Sequence, residues 1–391
     1  EVSNQNVAVA VASYAQARAL VAQQRAALFP TVDLSLGANR SGGNGSSSGT
    51  RSSYQVGIGG SWEPDVFGRL RAGVDSARAG AQASLADLQA AKLASQGELA
   101  SNYFNLRQLD SARKLQADTI EGYQRSLKIT QNRYDAGIVA RTDVLQAQTQ
   151  LANAQAEQLT LERQRAVLEH AIAVLVGKAP GNFTLAPRPA WVGVVPDIPF
   201  DVPSTLLQRR PDIAAAERRA SQANLQIGIA QAAYFPSLRL TGNVGAAAAT
   251  IGDLFSSSAL VWSLGASLAQ SIFNAGATRA QVESARAGLE AAAARYRQTV
   301  LAAFQDVEDQ LVAARVLQQQ LALRQQAAQA ATLVEQQVLN RYQAGQVSYT
   351  EVVTAQATAQ NARRALVQAQ SDRQVAAVAL IQGLGGGWRG L

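Results

Sequence analysis

The 391-residue chain has no cysteine, no methionine and one histidine, His170. Without cysteine there can be no disulfides and no thiolate metal sites. A single imidazole is too few for a histidine-built metal centre or a histidine-based triad, so His170 reads as a surface or interface residue. Aromatic side chains make up only 6% of the chain, few for a mixed core of this size. No apolar run reaches the roughly 18 residues that a membrane-spanning helix needs, and there is no signal peptide. No nucleophile, base and oxyanion donors fall into a catalytic arrangement. The glycines of Gly383–Gly387 lack a following helix or lysine and read as a helix end, not a phosphate loop. The expectation is a protein that is not an enzyme and takes no cofactor and no metal.

Proline is scarce where it matters. Six of the ten prolines lie between Pro180 and Pro203, none lies between 65 and 179, and none follows Pro236. Proline breaks helix interiors, so the proline-free stretches are free to be long helices, and 178–205 is an irregular connector. Alanine, glutamine and leucine dominate the remainder, a bias that suits closely packed helices. The formal charge of +7 is spread as scattered arginines along helical stretches. That pattern reads as solvated helix faces, with no basic stripe and interleaved aromatics to bind nucleic acid.

The sequence repeats itself. RYDAGIVARTDVLQAQTQLANA at 133–154 and RYQAGQVSYTEVVTAQATAQNA at 341–362 share 11 of 22 positions at an offset of 208. Val74–Ala79 and Val282–Ala287 match at the same offset, and Ala26–Pro30 matches Ala232–Pro236 at 206. The expected organisation is two structural repeats. The first, 1–205, holds a helix near Asn4–Ala19, strands at about 31–40 and 53–63, a long helix 64–135, a returning helix 140–177 and the connector 178–205. The second, 206–391, holds a helix 206–235, strands at about 237–247 and 259–271, a long helix 274–343 and a returning helix 348–384.

The strand assignments rest on strict alternation. Val32, Leu34, Leu36 and Ala38 oppose Thr31, Asp33, Ser35 and Asn39, and Tyr54, Val56, Ile58 and Trp62 oppose Gln55, Gly57, Gly59 and Ser61. Leu238, Leu240, Val244 and Ala246 oppose Arg239, Thr241 and Asn243, and Leu260, Trp262, Leu264, Ala266 and Leu268 oppose Ser263, Gly265 and Ser267. About nine residues is the length of a membrane-crossing strand. Phe29, Trp62, Phe235 and Phe273 stand at or near strand ends, where an aromatic girdle belongs. A soluble sheet covered on one face is the alternative, but no segment reads as its cover. Four strands cannot close a membrane barrel, which needs about eight, so several chains would have to share one.

About seventy helical residues from Pro64 would run roughly 105 Å. Glycine turns follow at Asp135-Ala136-Gly137 and Gln343-Ala344-Gly345. Each returning helix carries a heptad: Val144, Ala147, Leu151, Ala154, Gln158, Leu161, Arg165, Leu168, Ile172 and Leu175 in the first copy. The second copy reads Val352, Ala355, Ala359, Ala362, Leu366, Ala369, Arg373, Ala376, Leu380 and Gly383. Small seam residues allow close, coiled-coil approach.

Trp62-Glu63-Pro64-Asp65-Val66-Phe67-Gly68-Arg69, Leu206-Leu207-Gln208-Arg209-Arg210-Pro211-Asp212-Ile213, Leu384-Gly385-Gly386-Gly387-Trp388 and the RYxxG turns at 133–137 and 341–345 carry a resemblance. With them the whole chain resembles the TolC-like outer-membrane efflux proteins, in particular the lipoprotein subfamily serving RND-type pumps. The resemblance implies a mainly helical fold with a β-barrel part. Four membrane strands per chain would enter a 12-stranded barrel shared by a homotrimer, continued by a periplasmic tunnel of antiparallel coiled-coil helices. It implies a passive exit duct in the outer membrane of a Gram-negative cell, in contact with outer-membrane lipid. A periplasmic adaptor (membrane fusion) protein would meet it at the hairpin tips, around Arg133, Tyr134, Gly137, Arg341 and Gly345, and link it to an inner-membrane RND transporter. Family members usually have a lipid-bearing N-terminal cysteine and a segment ahead of the first helix, so a missing N-terminus is the expectation here.

By the same resemblance Thr142 and Asp143 fall on a gate-linking pair, Tyr342 on its tyrosine partner, and Glu351 on an acidic ring. The next ring position is Thr354, and Val347 replaces a partner arginine found in some members. Helix capping is the alternative role for Asp143, since acids favour a helix's first turn. Ducts for metal ions or for type I protein secretion are alternatives within the family. A soluble coiled-coil scaffold is the alternative outside it.

Overall fold

A computed structural model of the chain describes residues 4–42, 50–189, 191, 195 and 209–386. The middle of the first strand loop, residues 190, 192–194 and 196–205 of the connector, Leu206–Gln208, and Gly387 and Trp388 of the terminal motif lie outside the described residues. The chain divides into two compact units, each drawn from both halves of the sequence. Of the described residues, one comprises those within 12–87 and 212–299, and the other those within 4–11, 88–211 and 300–386.

The first unit holds the sheet. Strands β1 (Thr31–Ser41), β2 (Arg51–Trp62), β3 (Ser237–Ala248) and β4 (Leu260–Ala269) pair antiparallel in sequence order, with registers Thr31↔Ser61, Trp62↔Leu240 and Ser237↔Ala269. This register stacks Leu34 on Ile58, Ile58 on Val244 and Val244 on Trp262, so all four apolar rows share one face. That face is uncovered: Leu34, Ile58, Val244, Trp262 and Leu264 are all exposed. The other face carries hydroxyls, amides and glycines, with Thr31 and Ser61 bonded at 3.0 Å and Ser35 donating to the Gly57 carbonyl. β1 and β4 are open edges. The second loop contains two short 3-10 turns, Gly252–Phe255 and Ser257–Ala259.

Helix α1 (Gln5–Ala26) leads into β1, and α4 (Pro211–Ala232) leads into β3. α4 begins at Pro211 rather than at 206, because proline gives up no helical N–H in a first turn. α2 (Arg69–Asp135) begins five residues after Pro64. Gly68 takes φ +79, and the Asp65 carboxylate accepts the first-turn N–H groups of Leu70 (3.0 Å) and Arg71 (2.8 Å). The Trp62–Arg69 motif is thus a strand-to-helix corner, in which Phe67 stacks on Phe235 at 4.9 Å. α5 (Ala277–Gln343) starts after Ala275 and Gly276, both at positive φ.

The second unit packs the helical hairpins α2/α3 (Arg141–Leu175) and α5/α6 (Tyr349–Gly383). The heptad positions form their seam: Val144, Ala147, Ala154, Leu161, Arg165 and Ile172 are buried on α3, and Val352, Ala355, Ala359, Ala369, Ala376 and Leu380 on α6. Each repeat also ties the start of its first helix to the end of its returning helix. Asn4 Nδ2 donates to the Leu175 carbonyl at 3.0 Å, and Arg210 Nη1 donates to the Gly383 carbonyl at 3.3 Å, the position 208 residues later. Gly385, at φ +85, sits so close beneath the Arg209 carbonyl that any side chain would collide with it. The sequence motifs at 206–213 and 384–388 therefore meet, through their described residues, in one contact.

Candidate functional site at the hairpin tips

Both tips close by the same backbone device. Gly137 (φ +73) and Gly345 (φ +75) follow the helix ends, with Ile138 N–H donating to the Arg133 carbonyl and Gln346 N–H to the Arg341 carbonyl. These are the paired bonds of a glycine-terminated helix. The side chains then break the symmetry. Tyr342 is buried to 1% exposure, while Tyr134, its counterpart 208 residues earlier, is 39% exposed. Arg133 turns inward, donates to the Tyr342 carbonyl, and places its guanidinium 4.5 Å from the Tyr342 ring centre. Arg341, its counterpart, is exposed.

Tyr342, Tyr349, Ala147 and Val352 form a buried cluster, with Leu127, Val338 and Val347 packed around it. The two rings lie 5.5 Å apart. The Tyr342 hydroxyl is 3.1 Å from Thr130 Oγ1, and the Tyr349 hydroxyl donates to Gln150 Oε1 at 3.4 Å. Ser126 and Gln356 join at 3.0 Å, and Tyr123 and Gln360 also at 3.0 Å. The hairpins are therefore pinned together by single, mostly neutral bonds, each adding about 1 kcal/mol net. Burial, reinforced by the neighbouring Tyr342, Tyr123 and Asp143, pushes the Tyr349 pKa well above the ordinary tyrosine value.

Tyr342 bonds to Thr130, and no Tyr342–Asp143 bond exists among the described residues. The cause is α2, whose last turns bring Thr130 to the ring and Arg133 over it. Glu351 is held in a capping box with Ser348, accepting its N–H at 3.3 Å. α3 has Ala140 at its N-cap and no side-chain cap bond, and Asp143 stands in the first turn, where its charge favours the helix end without a capping bond. Thr142 is exposed, and the Thr354 hydroxyl donates to the Thr350 carbonyl of its own helix. Thr130, Gln150 and Tyr349 were missed by sequence reading; the seven-residue spacing of Tyr342 and Tyr349 across the turn was the one available signal.

A second, charged constellation lies farther along the first hairpin. Asp110, whose side chain is fully buried, accepts from Arg107 Nη1 (2.7 Å), Arg165 Nε (2.8 Å) and the Arg188 backbone N–H (2.9 Å). Arg165 also pairs with Glu169 at 2.9 Å and donates to the Leu185 carbonyl at 2.5 Å. Arg107 reaches the Ala186 carbonyl at 2.8 Å, and the Leu185 N–H donates to Glu169. Two arginines and two acids thus read the backbone of 185–188 and clamp the connector's start to the hairpin.

The four aromatic residues expected to form a girdle lie at one end of the sheet, where β1 and β3 begin and β2 and β4 finish. Phe29, Phe235 and Phe273 are exposed, and Trp62 Nε1 donates to the Leu28 carbonyl at 2.9 Å. Phe255, exposed in the second loop, stands at the opposite end and was not anticipated. Among the described residues no helix is long and apolar enough to cross a membrane, and no acids and histidine cluster as a metal site.

The family model described as "Outer membrane efflux protein" matches residues 1–178 and 202–386. Pseudomonas putida SrpC, a solvent efflux pump outer membrane protein, is 31% identical over 99% of this chain and 83% of its own length. Pseudomonas aeruginosa OpmQ, a pyoverdine export outer membrane protein, is 30% identical over 99% of this chain and 83% of its own. The solved outer-membrane channel OprN superposes with a TM-score of 0.91 at 31% identity, covering 98% of this chain and 88% of its own.

Proposed function

The chain belongs to the outer membrane efflux protein family, and we propose that it forms, as a homotrimer, the exit duct of a tripartite pump. It is a non-enzymatic efflux channel of the Gram-negative outer membrane. The trimer reading is carried by one observation: a four-stranded sheet with an uncovered apolar face and two open edges. Unpaired backbone is costly in lipid, so the edges must be closed, and three copies supply the twelve strands of an even-numbered barrel. The girdle of Phe29, Trp62, Phe235 and Phe273 would then mark one membrane interface. Light scattering in detergent tests this: three chains per particle are expected, whereas a monodisperse monomer in plain buffer would point to a soluble scaffold.

The tips are the duct's gate and its contact with a periplasmic adaptor, which joins it to an inner-membrane RND-type transporter. Tyr134, Gly137, Arg341 and Gly345 are free to meet an adaptor, while Arg133 belongs to the latch. The latch is the Thr130–Tyr342–Arg133 contact, with Asp143, Thr142 and Glu351 supplying polar groups at the turns. Arg133→Ala removes both a carbonyl bond and a ring contact, and should raise single-channel conductance in planar bilayers more than Tyr342→Phe does. Equal, unchanged conductance in both variants counts against the latch. Relatives named for solvent efflux and for pyoverdine export match the chain at 31% and 30% identity. We therefore assign the duct little selectivity of its own, with drugs and other small molecules chosen by the pump.

A further inference from the structure

The two repeats place an arginine at the same seam position, Arg165 and Arg373, 208 residues apart. In the first repeat that arginine is satisfied by Asp110, Glu169 and the Leu185 carbonyl. The positions equivalent to the two acids are Gln318 and Ala377, so the second repeat keeps the cation and drops its acids. Arg373 has no ion pair or hydrogen bond among the described residues. It lines a groove of about 230 Å³ with Gln108, Gln370, Gln374 and Trp191. Trp191 packs edge-on against Tyr103 at 5.9 Å, and its Nε1 is buried with no hydrogen-bond partner. A buried N–H without an acceptor is costly, and here it shares a groove with an unpaired guanidinium.

We propose that this groove binds a carboxylate, taken between the Arg373 guanidinium and the Trp191 indole N–H. Both groups only donate, so the ligand must supply acceptors and negative charge. The amide side chains of Gln108, Gln370 and Gln374 can complete its hydrogen bonding. The carboxylate belongs either to a free small organic acid or to the side chain of an acidic peptide.

Calorimetric titration of the detergent-solubilised full chain tests the site, using benzoate, an oligoglutamate peptide, and sodium chloride at matched ionic strength. Saturable benzoate binding identifies the free acid as ligand, and saturable binding of the peptide alone identifies the polypeptide. Arg373→Gln should weaken binding about ten-fold or more, the scale of one charge-assisted bond, and Trp191→Phe should weaken it less. Gln370→Glu, at an exposed position three residues before Arg373, offers the arginine an internal acid and should abolish binding with the arginine still present. Binding no stronger than that of chloride, or equal binding by all three variants, overturns the proposal.

Discussion

At the scale of single residues, charge and burial decide which side chains matter. Among the described residues, Asp110 is the only acceptor that Arg107 and Arg165 share. Its replacement by alanine leaves buried Arg107 without its acid and Arg165 with Glu169 alone, and should cost about 3–5 kcal/mol. Urea denaturation would read that loss, together with faster amide exchange at Arg188, whose N–H it holds. Losing the exposed Lys114–Asp118 pair should leave the urea midpoint almost unmoved. Asp65 gives a pH signature. Burial works to raise its pKa, but the Arg71 and Leu70 N–H groups and the Arg71 guanidinium more than offset it, so the folded value lies below 3.8. Its contribution is therefore complete above pH 3.8 and fades as pH falls below that. The stability gap between wild type and Asp65→Asn should shrink on acidification over that range. Tyr349 has the opposite sign. Its raised pKa stabilises the fold below pH 10 and ceases to do so as pH rises beyond. Alkaline melting curves should show this loss in wild type and less of it in Tyr349→Phe.

At the scale of elements, the strand alternation makes neighbouring positions respond differently. Leu34 lies on the apolar face and Gln55 on the polar one. Arginine at 34 should cost about 2–4 kcal/mol if the position sits mid-bilayer and deplete the protein from outer-membrane fractions, while Gln55→Lys should assemble normally. The turn glycines respond through backbone alone. A Cβ at Gly137 meets nothing within 4 Å, so Gly137→Ala should cost only about 1 kcal/mol, from the positive φ. The elements themselves were legible in the sequence because each has one period: two in the strands, heptad in the returning helices. Helix starts were read less well. Proline at 64 suggests a start there, but the Asp65 side chain and the Gly68 backbone delay it to Arg69 through contacts that no periodicity records.

At the scale of the whole molecule, both compact units mix the two repeats, so the duplication is one of plan and not of packing. The open sheet edges make oligomer formation part of folding. A proline placed mid-way in β4, such as Ser263→Pro, removes a strand N–H and should abolish the detergent-stable trimer while sparing the helical signal in far-ultraviolet dichroism.

The sequence alone determined the strands, the long hairpins, the duplication and the family, because these follow from local periodicity, from proline placement and from motif order. Tertiary structure alone decided how equivalent residues diverge. Tyr134 and Tyr342 occupy the same turn motif, yet only Tyr342 is buried, because Arg133 and Thr130 close over it. Arg165 and Arg373 hold the same heptad position, yet among the described residues only Arg165 meets acids. Burial and charge compensation depend on what lies across the interface, and a repeat in sequence carries no record of its neighbours.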